Sequence, residues 1–304
     1  AGFIGSCLAK RLIDEGHKVL IYDNLSMGKK NLLPGNKNLK FVKGDILDIK
    51  LLAGTFRKFS PDYLVHLAAI HFIPFCNKYP VKTVENNIMG TKNVLEAAEN
   101  NPRRLKRVLL ASSGAVYYGH KEGKHGEEKP PRPTEMYSYS KYVNELQLFH
   151  FHSRTDIDSV AMRFFNVYGP GETNPHLIPA IIDQLKLGKD TIVIGNPKPK
   201  RPYVFVKDIA DSIIRMASAH IRGFRIYNVG SPKEYSAADL IKMIGGLTGR
   251  KIKFKVDRKL VRKNDVIHFR PSLARIRGEI GWAPSYDIRS GLAELLVSEK
   301  INLK

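Results

Sequence analysis

Short apolar runs alternate with helical patterns along the first half of the chain, and this alternation constrains the fold more than any other feature. The runs cover residues 19–22, 39–42, 63–68 and 107–111. Between them, helical spacing ends near Gly16, covers 49–59 and extends over 81–100. Strands and helices alternating at this spacing predict an α/β fold, a Rossmann-like doubly wound parallel sheet with helices on both faces. Ligands of such sheets bind at the C-terminal ends of the strands. Gly2, Gly5, Asp23, Asp45, Ala69 and Ser113 all fall at those ends.

The chain opens inside a motif. Ala1-Gly2-Phe3-Ile4-Gly5-Ser6 runs directly into a helical pattern, then a strand closed by Asp23. That is the second half of a Gly-rich phosphate loop, with an acidic residue about twenty positions after the glycines. The first strand and first glycine of such a loop are missing from this chain. A first strand lies centrally and is buried on both faces. Omitting some four apolar side chains, at roughly 1.5 to 3 kcal/mol each, rivals the roughly 5 to 15 kcal/mol that stabilises a whole domain. The natural protein is therefore expected to begin about eight or more residues upstream, where a targeting segment could also lie.

After Arg163 the alternation loosens, and Gly/Pro-rich stretches such as 168–171 and 195–200 interrupt shorter elements. The expected division is a dinucleotide-binding domain over 1–165 and a smaller α/β substrate lobe over 166–304, with segments of the second interleaved into the first.

Tyr137 and Lys141 stand four residues apart in a segment that reads as helix from Met136 to about Ser153, so both emerge on one face. An ammonium beside a phenol favours the phenolate and lowers the tyrosine toward the range of a general base. Taken alone, the spacing also fits an ordinary surface pair.

Composition narrows the partners. No apolar run approaches the roughly 18 residues of a membrane span. Two cysteines, Cys7 and Cys76, form neither a disulfide framework nor a metal site, which fits a reducing, cytoplasmic setting. Fifty Lys and Arg against 29 Asp and Glu give a charge of +21, enough to attract nucleic acid or a smaller anion such as a nucleotide diphosphate. The basic residues are scattered, which also suits a solvated lysine-rich surface.

Nine stretches together resemble a known family: AGFIGS at 1–6, YDNLS at 22–26, GDI at 44–46, HLAA at 66–69, NNIMGTKNVLEAA at 86–98, SSGAVY at 112–117, YSYSK at 137–141, RFFNVYGP at 163–170 and EIGW at 279–282. The chain resembles the extended short-chain dehydrogenases/reductases in their NAD-dependent epimerase/dehydratase branch, and most closely the UDP-glucose 4-epimerases. The resemblance implies NAD as cofactor. Gly2, Phe3, Ile4 and Gly5 would meet its pyrophosphate, Asp23 and Asn24 its adenosine ribose, and Asp45 and Ile46 its adenine. Leu67, Ala68, Ala69 and Phe165 would flank it, and Asn87 would hold the neighbouring loop. From the residues alone, Asn87 also reads as a helix N-cap and Asp45 as a turn residue.

The same resemblance makes Ser113, Tyr137 and Lys141 catalytic. Tyr137 would deprotonate the sugar hydroxyl during a transient hydride transfer to NAD, Ser113 would orient that oxygen, and Lys141 would hold the nicotinamide ribose and keep Tyr137 acidic. Sugar-nucleotide dehydratases carry Asp-Glu after the serine, and decarboxylating relatives keep the Glu; here Gly114 and Ala115 stand there, which implies epimerisation. Asn166, His176, Leu177, Arg201, Arg262 and Asp265 would hold the UDP-sugar. Phe269 would limit room beside the sugar, implying UDP-glucose and UDP-galactose over the N-acetyl pair; an ordinary core aromatic is the alternative. Pro202 and Ser272 depart from the family, which has acidic residues at both positions. No metal is implied.

Relatives dimerise through the helix after HLAA and the Tyr137 helix, where Val84, Ile88, Val94, Leu95 and Leu146 supply apolar positions. Alternatives are a UDP-glucuronate or UDP-N-acetylhexosamine 4-epimerase, or a sugar-nucleotide reductase. From another class comes an RNA-binding or regulatory protein on the same fold, against which the retained Tyr137 and Lys141 speak.

Overall fold

The computed structural model describes residues 1–102, 104–120, 123–261 and 266–304. The first apolar runs become strands β1 (Val19–Asp23), β2 (Leu39–Lys43), β3 (Tyr63–His66) and β4 (Arg107–Ser113). A short β5 (Gly123–His125) leaves the sheet, and β6 (Asp158–Phe164) returns beside β4. Four brief strands follow, β7 (Val167–Tyr168), β8 (Thr191–Ile194), β9 (Lys200–Arg201) and β10 (Val204–Phe205), before β11 (Phe224–Val229) pairs with β6. The last are β12 (Tyr235–Ser236), β13 (Lys253–Val256) and β14 (Phe269–Pro271).

The fold class is the expected one. All main strands are parallel, but they form a β1-β2 pair and a separate β11-β6-β4-β3 sheet; among the described residues no ladder joins β1 to β3. The strand expected over 63–68 stops at His66, because beyond the His66–Leu110 pair the chain leaves the ladder with β4.

Helices α1 (Phe3–Asp14), α2 (Ile49–Phe59), α3 (Ile73–Lys78), α4 (Pro80–Thr83), α5 (Gly90–Glu99) and α6 (Met136–Thr155) belong to the first half of the chain. Later come α7 (Leu177–Lys186), α8 (Val206–Ser218), α9 (Ala237–Thr248), α10 (Ala274–Ile280) and α11 (Ile288–Ser298). Side chains alternate across the four-stranded sheet, as a period of two dictates. Leu109, Ala111, Val160 and Met162 face Leu8 of α1 and Ile209, Ile213 and Met216 of α8. Val108, Leu110 and Ala161 face Phe56 of α2, Val94 and Leu95 of α5, and Leu148 and Phe151 of α6. A second core joins Ile178 and Ile182 of α7, Ile192 of β8, Leu240 and Ile244 of α9, and Leu292 and Leu296 of α11. Thus α8, β11 and α10 return to the first core from the second half of the chain.

The single helix expected over 81–100 is interrupted. Between α4 and α5 the chain makes a π-helical stretch, Val84–Met89, that carries the buried Asn87. Asn87 accepts from the Ile70 amide at 2.8 Å and donates to the Ile70 carbonyl at 2.8 Å and to Ser140 Oγ at 3.0 Å. It is therefore not a helix N-cap. A locally widened turn of this kind commonly marks a functional position.

Of the positions expected to face a partner subunit, Val94 and Leu95 belong to the chain's own core. The exposed apolar residues on these helices are Val81, Met89, Tyr139, Leu146 and Phe149. Among the described residues no helix is long and apolar enough to cross a membrane.

Candidate active site

Helix α1 begins at the strand-end side of the sheet with Gly2 as N-cap, and no side chain caps it. Its first-turn amides at Phe3, Ile4 and Gly5 thus present uncapped donors and the positive end of the helix dipole. Gly5 lies against Leu67, whose Cδ1 would stand 3.7 Å from an added Cβ. At the end of β1, Asp23 accepts from the Leu25 amide at 2.7 Å. Asn24 donates to Asp45 at 2.9 Å, and Asp45 also accepts from the Leu47 amide, so it serves as a turn residue as well. Ile46 packs on Gly90, where a Cβ would come within 2.4 Å of it. Leu67, Ala68 and Ala69 continue past β3, with Ala68 exposed. An uncapped helix terminus facing a carboxylate across a shallow, glycine-lined edge fits the pyrophosphate and ribose of a dinucleotide.

Next to this edge, β4 ends at Ser113 and α6 begins one residue before Tyr137. The Ser113 side chain lies close enough to the Tyr137 hydroxyl to influence it, and Ser113 Oγ accepts from the Ala115 amide at 3.1 Å. Lys141 is 4% exposed; its Nζ donates to the Ala111 carbonyl at 2.8 Å and lies 5.9 Å from the centroid of the Tyr137 ring. Burial lowers the Lys141 ammonium to about 8. Burial also raises the Tyr137 hydroxyl above its ordinary value, opposed by Ser113, with Tyr118 and Cys76 adding to the rise. Burial is thus the largest influence on the Tyr137 hydroxyl in the free protein, while the Lys141 ammonium is directed at a backbone carbonyl.

The two residues directly after Ser113 carry no proton-transfer group. Gly114 and Ala115 are buried, and a Cβ on Gly114 would stand 2.9 Å from the Phe165 ring. An acidic side chain there requires Phe165 to move. Phe165 packs 5.4 Å from Phe269, which in turn lies 4.9 Å from His125 and 5.1 Å from Tyr118. Phe269 is 3% exposed, so it is part of a ring cluster as well as a neighbour of the Ser113 turn.

The second half of the chain supplies looser elements. Asn166 follows β6 half-buried, and its carbonyl accepts from the Val204 amide at 2.9 Å. His176 caps α7 from an exposed position, hydrogen-bonded to Glu172, and Leu177 opens the helix. Asn174 of the same loop donates to His71 Nε2 at 2.7 Å, which ties the loop to the segment after β3. Burial lowers His71 to about 4, so the ring is neutral at pH 7. Arg201 donates to the Lys200 and Val266 carbonyls at 2.8 and 2.9 Å. Arg262 and Asp265 lie outside the described residues. Pro202 is buried beside Arg201, and the Ser272 amide donates to the His125 carbonyl at 2.6 Å. Among the described residues no cluster of metal-ligating side chains occurs.

Residues 1–230 match the NAD dependent epimerase/dehydratase family. The chain belongs to that family. It is an enzyme of that family, and NAD is the family's cofactor. The chain is 31% identical over 302 residues to UDP-glucose 4-epimerase of Mycolicibacterium smegmatis, covering 97% of this chain and 94% of the relative. Its fold is similar to UDP-glucose 4-epimerase from Brucella ovis in complex with NAD, with TM-score 0.91 and 27% identity, covering 100% and 97% of the two chains. It is also similar to the UDP-N-acetylglucosamine 4-epimerase of Methanobrevibacter ruminantium M1, with TM-score 0.88 and 30% identity over 98% and 94%.

Sequence reasoning had singled out neither Glu145 nor the anchoring role of Arg163. They form a buried pair directly behind the Ser113 turn. One signal was present, since Glu145 continues the four-residue spacing of Tyr137 and Lys141.

Proposed function

We propose that the chain is a nucleotide-sugar 4-epimerase acting on UDP-glucose and UDP-galactose, with Tyr137 as the proton-accepting group. One observation carries this reading. Ser113, Tyr137 and a buried Lys141 converge at the end of β4, beside a turn whose Gly114 and Ala115 can neither give nor take a proton.

Gly2, Phe3, Ile4 and Gly5 receive the pyrophosphate of NAD on helix-terminal amides, Asp23 and Asn24 the ribose, and Asp45 and Ile46 the adenine. Leu67, Ala68, Ala69 and Phe165 flank the cofactor, and Asn87 fixes the Ile70 backbone beside it. When bound, NAD supplies reversible hydride exchange at C4 of the sugar. Ser113 orients the C4 oxygen, Tyr137 takes its proton and later gives it back, and Lys141 binds the nearby ribose and favours the deprotonated tyrosine. A base that keeps hold of the proton suits a reaction that returns it to the same oxygen, because no exchange with water is required. Elimination of water needs an additional acid and base, which Gly114 and Ala115 lack.

Asn166, His176, Leu177 and Arg201, with Arg262 and Asp265, hold the UDP-sugar; arginine suits phosphate because its planar fork pairs with two oxygens. Phe269, fixed in its ring cluster, limits space beside the sugar and favours the unsubstituted hexoses. The N-acetyl pair is the second reading, supported by the likeness to the Methanobrevibacter enzyme. A homodimer through α6 and the α4–α5 segment follows from the exposed Val81, Met89, Tyr139, Leu146 and Phe149. An NMR assay with UDP-glucose, UDP-galactose, the N-acetyl pair and UDP-glucuronate tests the assignment. Fastest interconversion of glucose and galactose is expected, and faster N-acetyl or glucuronate turnover overturns it.

A further inference from the structure

The catalytic turn of α6 is seated by polar bonds. Between 138 and 145 its buried residues are Ser138, Ser140, Lys141, Asn144 and Glu145, and buried apolar side chains begin only at Leu148 and Phe151. Without an apolar ridge to lock into the sheet, the axial position of this turn depends on directional bonds. Tyr137, Lys141 and Glu145 follow one another at four-residue spacing and share a face.

Glu145 is 2% exposed and binds two strands at once. Its Oε1 accepts from Ser112 Oγ at 2.5 Å and from Arg163 Nε at 2.8 Å, and its Oε2 accepts from Arg163 Nη2 at 2.7 Å. Ser112 and Arg163 are register partners on β4 and β6, so both face α6. The remaining Arg163 Nη1 donates to the hydroxyl of Tyr117, which donates to Asn228 Oδ1 at 3.1 Å. Tyr117 closes the turn that starts after Ser113. One carboxylate therefore reaches the residue before Ser113 directly, the turn after Ser113 through Arg163, and the helix of Tyr137 and Lys141 through its own backbone.

We propose that the Glu145–Arg163 pair is a positioning clamp for the reaction, setting α6 along the sheet so that Tyr137 and Lys141 meet Ser113. This rests on the reading of Tyr137 as the base. The two residues touch neither reacting atoms nor cofactor in this assignment; they act through the placement of others. A bidentate guanidinium–carboxylate contact is suited to the task because it fixes direction as well as distance.

The double variant Glu145→Leu/Arg163→Met removes the fork while keeping similar volume, and well-packed apolar replacement of a buried ion pair is commonly tolerated by the fold. Its kcat is expected to fall about 10- to 100-fold with KM and NAD affinity within about twofold of the parent, as misplacement of catalytic groups predicts. The acid limb of the kcat profile is expected to move to higher pH. Tyr137 moved away from Ser113 would lose a neighbour that holds its hydroxyl down while still facing Tyr118, Cys76 and Lys141, and a purely structural role would leave that limb in place. Arg163→Lys keeps the charge without the fork and is expected to behave similarly. If the double variant does not accumulate folded, Arg163→Lys decides the question. A parental kcat and an unmoved pH profile in the folded variant overturn the clamp. Tyr137→Phe, run in parallel, separates the two readings. A dead Tyr137→Phe with fully active clamp variants sinks only the clamp, whereas an active Tyr137→Phe sinks the assignment of the base.

Discussion

The two sides of the candidate site are built differently. On the sheet side, Ser113, Tyr137, Lys141 and Asn87 sit on regular elements and bond to buried partners, with Glu145 and Arg163 behind them. On the side of the chain's second half, His176 is exposed at a helix start and Arg201 reaches toward backbone carbonyls from a two-residue strand. Chemistry that must repeat at one carbon needs preorganised groups, since small displacements are costly. Recognition of a variable sugar tolerates loops, which a rigid scaffold positions.

The sharpest way to break this contrast is Tyr137→Phe. Turnover should fall by about 10²- to 10⁴-fold, as for loss of a general base, while NAD binding measured by calorimetry stays unchanged. Arg163→Met alone should destabilise the fold by about 3 to 5 kcal/mol in urea denaturation, because it leaves Glu145 buried and uncompensated. A loss below about 1 kcal/mol would place the pair among weak, solvated bridges and blur the difference between the two sides.

Lys141→Met should separate stability from function. The ammonium falls from an ordinary 10.5 to about 8 in the folded protein. The folded state thus resists a proton that the unfolded chain accepts. This penalty is absent above about pH 10.5, grows as the pH drops, and is complete below about pH 8, at about 3 kcal/mol. The variant should be inactive yet melt higher than the parent at pH 7, with the advantage vanishing near pH 10.5. Equal melting temperatures across that range would mean that water reaches Lys141. The smallest effect is expected from Arg201→Ala, a KM increase of about tenfold with kcat retained, in keeping with the loss of a charged hydrogen bond. A kcat effect instead would show that the second half of the chain shares in positioning.

Much of this was legible in the chain itself. The apolar runs marked β1 to β4, and the helical pattern over 49–59 coincides with α2. The four-residue spacing of Tyr137 and Lys141 placed them on one face. The π-helical stretch was not legible, because Asn87 widens the helix to reach Ile70 and Ser140, residues 17 and 53 positions away.

The sequence by itself determined which side chains gather at the strand ends, because strand and helix periods are local properties and the family motifs occupy those ends. Only the tertiary structure decided the state and support of those side chains. Burial among packed neighbours raises the Tyr137 hydroxyl above its ordinary value. Glu145 becomes an anchor because folding brings Ser112 and Arg163, 33 and 18 positions distant, onto one carboxylate. Desolvation and long-range contact arise from packing, and no local pattern encodes their balance.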